Sequence, residues 1–163
     1  MNNNIKIARI SNDVKMPSKR MEDGCYDIYA YFKEDFMDIM PHEVKLIPTG
    51  IKTNFSPEYR ISIRERGSNT KSNMIVMAGQ IDSNYLGEYF VAIYNGNDIP
   101  IMITKLENSV RKTDRCIYVP YDKAIAQFAI EYVPAVNLIE VSEEYINNLT
   151  TNRGTGCLGS SNK

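Results

Sequence analysis

Apolar residues recur at every second position in several short runs along the chain. "IKIARI" (5–10), "YRISIRE" (59–65), "YFVAIYN" (89–95) and "PIMITKL" (100–106) alternate or run apolar over five to seven residues, rich in Ile, Val, Tyr and Phe. That is the pattern of half-buried and buried β-strands. Turn residues interrupt it often: Pro41, Pro48 with Gly50, Pro57, Gly67, Gly79, Gly87, "NGND" at 95–98, Pro100, Pro120 and Pro134. Many short strands separated by such breaks predict an all-β sandwich or barrel. The exception is "SEEYINNL" (142–149), where Ser142 is placed as an N-cap with two glutamates in the first turn, spelling one or two helical turns. No repeat or interdomain linker is visible, and the Asn/Thr/Gly-rich stretch from Asn147 onward reads as detached from the core.

Length and composition narrow the picture. At 163 residues and 43% hydrophobic, the chain fits one domain with a sizeable core. A net charge of −1 provides no basic field for nucleic acid, and no run of 18 apolar residues predicts a membrane helix. "MNNNIKIARI" lacks the apolar centre of a signal peptide. Cys25, Cys116 and Cys157 are odd in number and widely spaced, which disfavours a disulfide framework or a CxxC zinc site and leads us to expect a reduced, cytoplasmic setting. His42 is the only histidine, so a Ser-His-Asp triad or a multi-histidine metal site has little to build on. Carboxylates, arginines and an oxygen-liganded metal remain as the chemistry.

Five segments break the strand pattern. "EDGCYDIYA" (22–30) sets Asp27 inside an apolar strand, where an acid is costly unless paired, metal-bound or turned to solvent on an edge. "RERGSNTKS" (64–72) follows a strand; Gly67 frees the backbone to turn towards an anion, while Arg66 and Ser68 add a fork and a hydroxyl. An ordinary surface turn has the same composition. In "AGQIDSNYLGE" (78–88), Ala78 and Gly79 permit close backbone approach, and Gln80 and Ile81 lead into Asp82, with Tyr85 three residues on. Such a hairpin is suited to gripping a flat ligand by its main chain, or is simply an Asp-Ser-Asn turn with a packed tyrosine. "YDKAIAQ" (121–127) places Lys123 before a buried strand and Gln127 within it. The last, "RGTGCLGSS" (153–161), cannot be a helix or a core strand; it is either a disordered tail or an arm that closes over something negatively charged.

In this order the five segments resemble the five motifs of the homotrimeric dUTP diphosphatases (dUTPases): roughly AGYDLxA, RSG, GxIDxxYxG, GDRxAQ and a terminal RGxGGFGS. Here they read "GCYDIYA", "RGS", "GQIDSNYLG", "YDKAIAQ" and "RGTGCLGSS", from about residue 22 to 161. There are departures. Gly and Ser are exchanged in the second motif, so the choice between Arg64 and Arg66 is one of register, with Arg66 favoured by the turn it precedes. Lys123 replaces an arginine and loses its bidentate fork. Leu158 replaces the aromatic that stacks on the base. Residues 96–118 look longer than the common connection and resemble insertions in phage and Gram-positive members.

The resemblance implies a distorted, β-clip-like jelly roll over residues 1–150, with at most one short helix and a flexible arm at 151–163. It implies a homotrimer with sites between subunits, hydrolysing dUTP to dUMP and pyrophosphate with Mg²⁺. Asp82 is then the catalytic base and Asp27 holds the metal through a water. Arg66, Gly67, Ser68, Gln127 and Arg153 bind phosphates. Ala78, Gly79, Gln80 and Ile81 read uracil, Tyr85 lies beneath the deoxyribose, and Leu158, Gly159 and Ser160 close the arm. A dCTP deaminase shares the fold and is the nearest alternative. A nucleotide-sensing protein that binds a regulatory partner through 96–118 is another.

Overall fold

Four sheets form from the alternating runs in the computed structural model, which describes residues 4–156. One joins β1 (Lys6–Arg9) to β5 (Ile51–Asn54). A second has the order β11 (Arg111–Lys112), β12 (Ile117–Pro120), β10 (Ile101–Thr104), β3 (Phe36–Ile39). A third orders β2 (Tyr26–Tyr29), β13 (Ala124–Tyr132), β6 (Tyr59–Arg64) and β8 (Gln80–Ile81). The last places β9 (Phe90–Asn95) between β4 (Val44–Pro48) and β7 (Met74–Met77). All strand pairs are antiparallel except β10 with β12. The all-β reading and the jelly-roll architecture hold.

The inner faces meet in a core built largely of isoleucine; Ile28, Ile39, Ile61, Ile93, Ile103 and Ile125 are fully buried. Isoleucine is stiff at χ1 and suits a pleated surface, so these runs form strands and pack them with little rotamer entropy left to lose. Tyr89 is the largest fully buried side chain, its hydroxyl satisfied by that of Thr53. Segment 96–118 is only partly an excursion, because Ile101, Ile103 and Ile117 belong to this core. Its outward part, 105–115, is a loop carrying the exposed β11.

Two surfaces depart from polar-outward alternation. On the sheet β4–β9–β7, Val44 and Ile75 flank Tyr94, and Leu46 and Met77 flank Ala92. Val44, Leu46, Ile75 and Met77 are all exposed, as is Phe90. Beyond Val133 every residue from 134 to 155 is exposed, including Val136, Leu138 and Ile139. Helix α1 (Glu143–Asn147) forms within this extension where expected, the Ser142 hydroxyl accepting from the Tyr145 N–H at 3.1 Å. The turn after β6 adds a 3-10 helix, Gly67–Ser72, absent from the sequence reading.

The sheet β2–β13–β6–β8 is apolar on one side and polar on the other. Its polar side aligns Gln127 with Arg64, Ala129 with Ser62 and Glu131 with Arg60. The Glu131 carboxylate accepts from Arg60 Nε (2.8 Å), Arg64 and the Ser62 hydroxyl (2.9 Å). These bonds, Arg60 first and then Arg64, push its pKa from 4.5 down to about 2. A folded pKa below the unfolded one gives stability that is present above pH 4.5 and lost as pH falls towards 2. Glu131→Gln should lower the melting temperature at pH 7, and its deficit relative to the wild type should narrow by more than half by about pH 3. Circular dichroism melts across pH check this; a deficit as wide at pH 3 as at pH 7 contradicts it.

Candidate functional site

A β-bulge builds the centre of the site. Between Ala124 and Ala126 the register of β13 on β2 shifts, so Ile125 is skipped before Gln127 pairs with Asp27. The extra residue re-aims the strand and leaves the Ile125 carbonyl to accept from Asn69 Nδ2 at 2.5 Å. Asn69, buried in the 3-10 turn, thereby ties that turn to β13. Thr70 closes it by donating to the Gly67 carbonyl at 2.6 Å.

The anchored turn delivers Arg66 to Asp27. Arg66 Nε donates to one Asp27 oxygen at 2.8 Å and Nη2 to the other at 3.0 Å, while Nη1 reaches the Ser68 hydroxyl at 3.1 Å. Asp27 is thus paired, the condition under which an acid is tolerated inside an apolar strand. Gln127 Nε2 donates to the Glu65 carbonyl at 2.8 Å. Arg64, the alternative register, is committed to Glu131 instead. Lys123 is held below its usual pKa, first by burial and then by repulsion from Arg66 and Lys71. Cations crowded in this way favour an anion among them.

A cleft of about 690 Å³ opens here, lined by Asp27, Arg66, Gln127 and residues between Ser18 and Cys25. Its size falls within the range of small-molecule sites. Among the described residues no group of three or more His, Cys, Asp or Glu side chains could cage a metal. Both Asp27 oxygens already accept from a guanidinium, but a carboxylate has about four acceptor positions, so about two remain, enough for a metal-bound water. The residues therefore fit a hydrated Mg²⁺ held mainly by phosphate oxygens, and not a protein cage.

Asp82 lies elsewhere. It follows Ile81, whose partner on β6 is Ile61. Arg66 lies five steps of extended chain beyond Ile61, roughly 16 Å. Asp82 is exposed, its carbonyl accepting from the Tyr85 N–H at 3.1 Å to close the turn. Tyr85 stacks on Tyr89 at 6.2 Å and donates its hydroxyl to the Glu88 carbonyl at 2.8 Å. Glu88 in turn accepts from the Gly50 N–H at 2.8 Å, fixing the hairpin to the body. Ala78 adopts φ 51, and a Cβ on Gly79 would sit 2.1 Å from the Ile63 carbonyl oxygen. Only glycine permits that approach.

Arg153 is exposed on the extension, its Nε donating to the Gly156 carbonyl at 2.9 Å. Leu158, Gly159 and Ser160 lie outside the described residues. One chain therefore brings together Asp27, Arg66, Ser68 and Gln127, and leaves Asp82 with Tyr85 apart from them. Asn69, Glu88 and the loop at Lys19–Arg20 were missed. Only the last had a signal, two adjacent cations directly before the first motif.

The comparisons bear on this divided site. A family model described as dUTPase matches residues 12–162. A deoxyuridine 5'-triphosphate nucleotidohydrolase from Caldanaerobacter subterraneus is 30% identical over 159 residues, covering 95% of each chain. Another from Nautilia profundicola is 30% identical over 98% of this chain and 99% of its own. The dUTPase of Staphylococcus bacteriophage 80alpha with dUPNHPP shares the fold at a TM-score of 0.76, with 20% identity over 98% of this chain and 99% of that one. A variant dUTPase from phage phi11 of S. aureus, studied for the coordination of a structural Mg(II) ion, aligns at 0.68 and 19% identity over 86% and 98%. The match to the family model and to relatives over nearly the full chain establishes that this chain belongs to the dUTPase family.

Proposed function

We propose that the chain hydrolyses dUTP to dUMP and pyrophosphate at sites assembled between three copies. The observation that carries this is the cluster of Asp27, Arg66 and Gln127 around one cleft, with Ser68 bonded behind Arg66 and the carboxylate of Asp82 displayed separately on a rigid hairpin. Two further features support assembly: the exposed apolar face of β4–β9–β7 and the uncovered extension after Val133. Apolar surface of that extent marks an interface.

In this reading the Asp82 carboxylate takes a proton from a water whose oxygen bonds to the α-phosphorus, and the bond to the bridging oxygen breaks to release pyrophosphate. General-base assistance of this kind contributes about 10²–10⁴-fold. Arg66, Ser68 and Gln127 hold the phosphates in line, and fixed donors of this kind supply the larger share of the barrier reduction. Mg²⁺, when bound, neutralises phosphate charge and polarises the bond that breaks. Asp27 keeps the Arg66 fork oriented and accepts from a metal-bound water. The backbone from Ala78 to Ile81 reads the uracil edge, and a mismatch there leaves buried polar groups unpaired, worth up to about 10⁴–10⁵-fold in discrimination. Tyr85 beneath the sugar excludes a 2′-hydroxyl. Arg153 reaches the γ-phosphate as the arm closes.

Substrate relatives named as nucleotidohydrolases favour this over a dCTP deaminase. A second role, binding a regulatory protein, is supported by the excursion at 105–115, where Leu106 is 77% exposed and Val110 is also outward.

Asp82→Asn should abolish pyrophosphate release while leaving dUTP binding within roughly tenfold, because the group acts in the transition state. Substantial turnover in that variant removes Asp82 from its role. The full chain should run as a trimer of about 56 kDa, three times 18.6 kDa, and deleting residues 152–163 should leave a folded, correspondingly lighter trimer with activity reduced by orders of magnitude. Light scattering and turnover together check this; full activity after truncation, or an active monomer, contradicts it.

A further inference from the structure

The cleft has a second basic wall that none of the five motifs contains. An isolated bridge joins Ser18 to Asp27, the Asp27 N–H donating to the Ser18 carbonyl at 2.7 Å. Lys19 and Arg20 follow immediately, and both line the cleft. Because β13 and β6 lie on the other side of β2, these two cations flank Asp27 from the side opposite Arg66. Asp23 holds both in place. Arg20 Nε and Nη2 engage its two carboxylate oxygens, each at 3.0 Å, and Lys19 Nζ donates to its carbonyl at 2.8 Å. The Arg20 clip occupies one edge of the guanidinium and leaves Nη1 available, and Lys19 has spent one of three donors.

Across the cleft, the position of Arg66 is different. Nε and Nη2 are taken by Asp27, and Nη1 by Ser68 and the Ala124 carbonyl. Its charge is offset by Asp27 and one N–H of Nη2 remains, so it orients a phosphate more than it neutralises one. A polyphosphate chain carries several charges: among the described residues Lys19 forms no ion pair, and Arg20, though paired with Asp23, is highly exposed and keeps Nη1 for a further anion.

We propose that Lys19 and Arg20 form an auxiliary polyphosphate subsite, contacting the part of the phosphate chain beyond the α-phosphate. This rests on the dUTP-hydrolysing reading for the identity of the substrate. The contact of a phosphate oxygen with either cation is a charge-assisted hydrogen bond in a partly exposed site.

Calorimetry with pyrophosphate and, separately, with dUMP tests the subsite without relying on turnover. In the Lys19→Gln/Arg20→Gln variant, pyrophosphate binding should weaken about tenfold, the loss expected from one to two charge-assisted bonds. Affinity for dUMP should stay within about twofold, and KM for dUTP should rise about tenfold. Arg20→Lys, with Lys19 retained, should recover most of the loss, since the charge is restored. Thermal melts of the single variants Lys19→Gln and Arg20→Gln show whether the loop still folds; a folded single variant suffices for the comparison. Unchanged pyrophosphate affinity in a folded variant overturns the proposal. So does equal weakening of pyrophosphate and dUMP, which would mean that the Asp27 bridge had been distorted. If the wild type fails to hydrolyse dUTP yet binds pyrophosphate through these residues, the proposed substrate fails and the subsite stands.

Discussion

The bidentate pair between Asp27 and Arg66 is the contact on which the rest of the site depends. It crosses β13 to join β2 to the turn after β6, and it exists only because a bulge in β13 frees the Ile125 carbonyl to anchor Asn69. An unpaired carboxylate in that strand would be costly, and an unpaired guanidinium would have no fixed direction. Joined, they form a rigid base for Ser68 and Gln127 and set the edge of the cleft. The strength of such a pair lies in its two parallel bonds, a geometry that lysine cannot reproduce.

A second constraint comes from what the chain leaves uncovered. The isoleucine core closes every sheet on its inner face, yet β4–β9–β7 shows apolar residues outward as well, and the extension beyond Val133 carries Val136, Leu138 and Ile139 with nothing packed on them. In a single copy Asp82 follows Ile81, whose strand partner Ile61 lies roughly 16 Å of extended chain from Arg66. Both facts fit the proposed assembly, in which neighbouring copies would cover the apolar face and bring the other half of the site. The rigidity of the hairpin fits this role. Glu88 ties it to Gly50, Tyr89 backs Tyr85, and Gly79 lies against Ile63, so the hairpin carrying Asp82 is fixed to the body, as the proposed inter-subunit site would require.

Much of this was legible in the residues. Period-two runs located the strands of the core, Ser142 with two glutamates located the short helix, and Asp27 in an apolar strand announced a partner. Arg66 was separable from Arg64 only weakly, by its place before the Gly-Ser turn; the structure separates them physically, one on Asp27 and the other on Glu131. The 3-10 turn and the bulge were invisible because they are coupled through a long-range bond, Asn69 to Ile125, that no local pattern encodes. The exposure of Val136, Leu138 and Ile139 was equally hidden, because whether an apolar run is covered is decided by tertiary context and not by local pattern.

The central claim is that Arg66 and Asp82 of different copies serve the same substrate. It is tested most directly by mixing two inactive variants, Arg66→Gln and Asp82→Asn, after dissociation and reassembly. If each site takes Arg66 from one copy and Asp82 from the next, every mixed trimer contains one site free of both substitutions, and dUTP turnover should return. If the two residues act from the same chain, no mixture regenerates an intact site, and a reassembled mixture as inactive as its components would contradict the account.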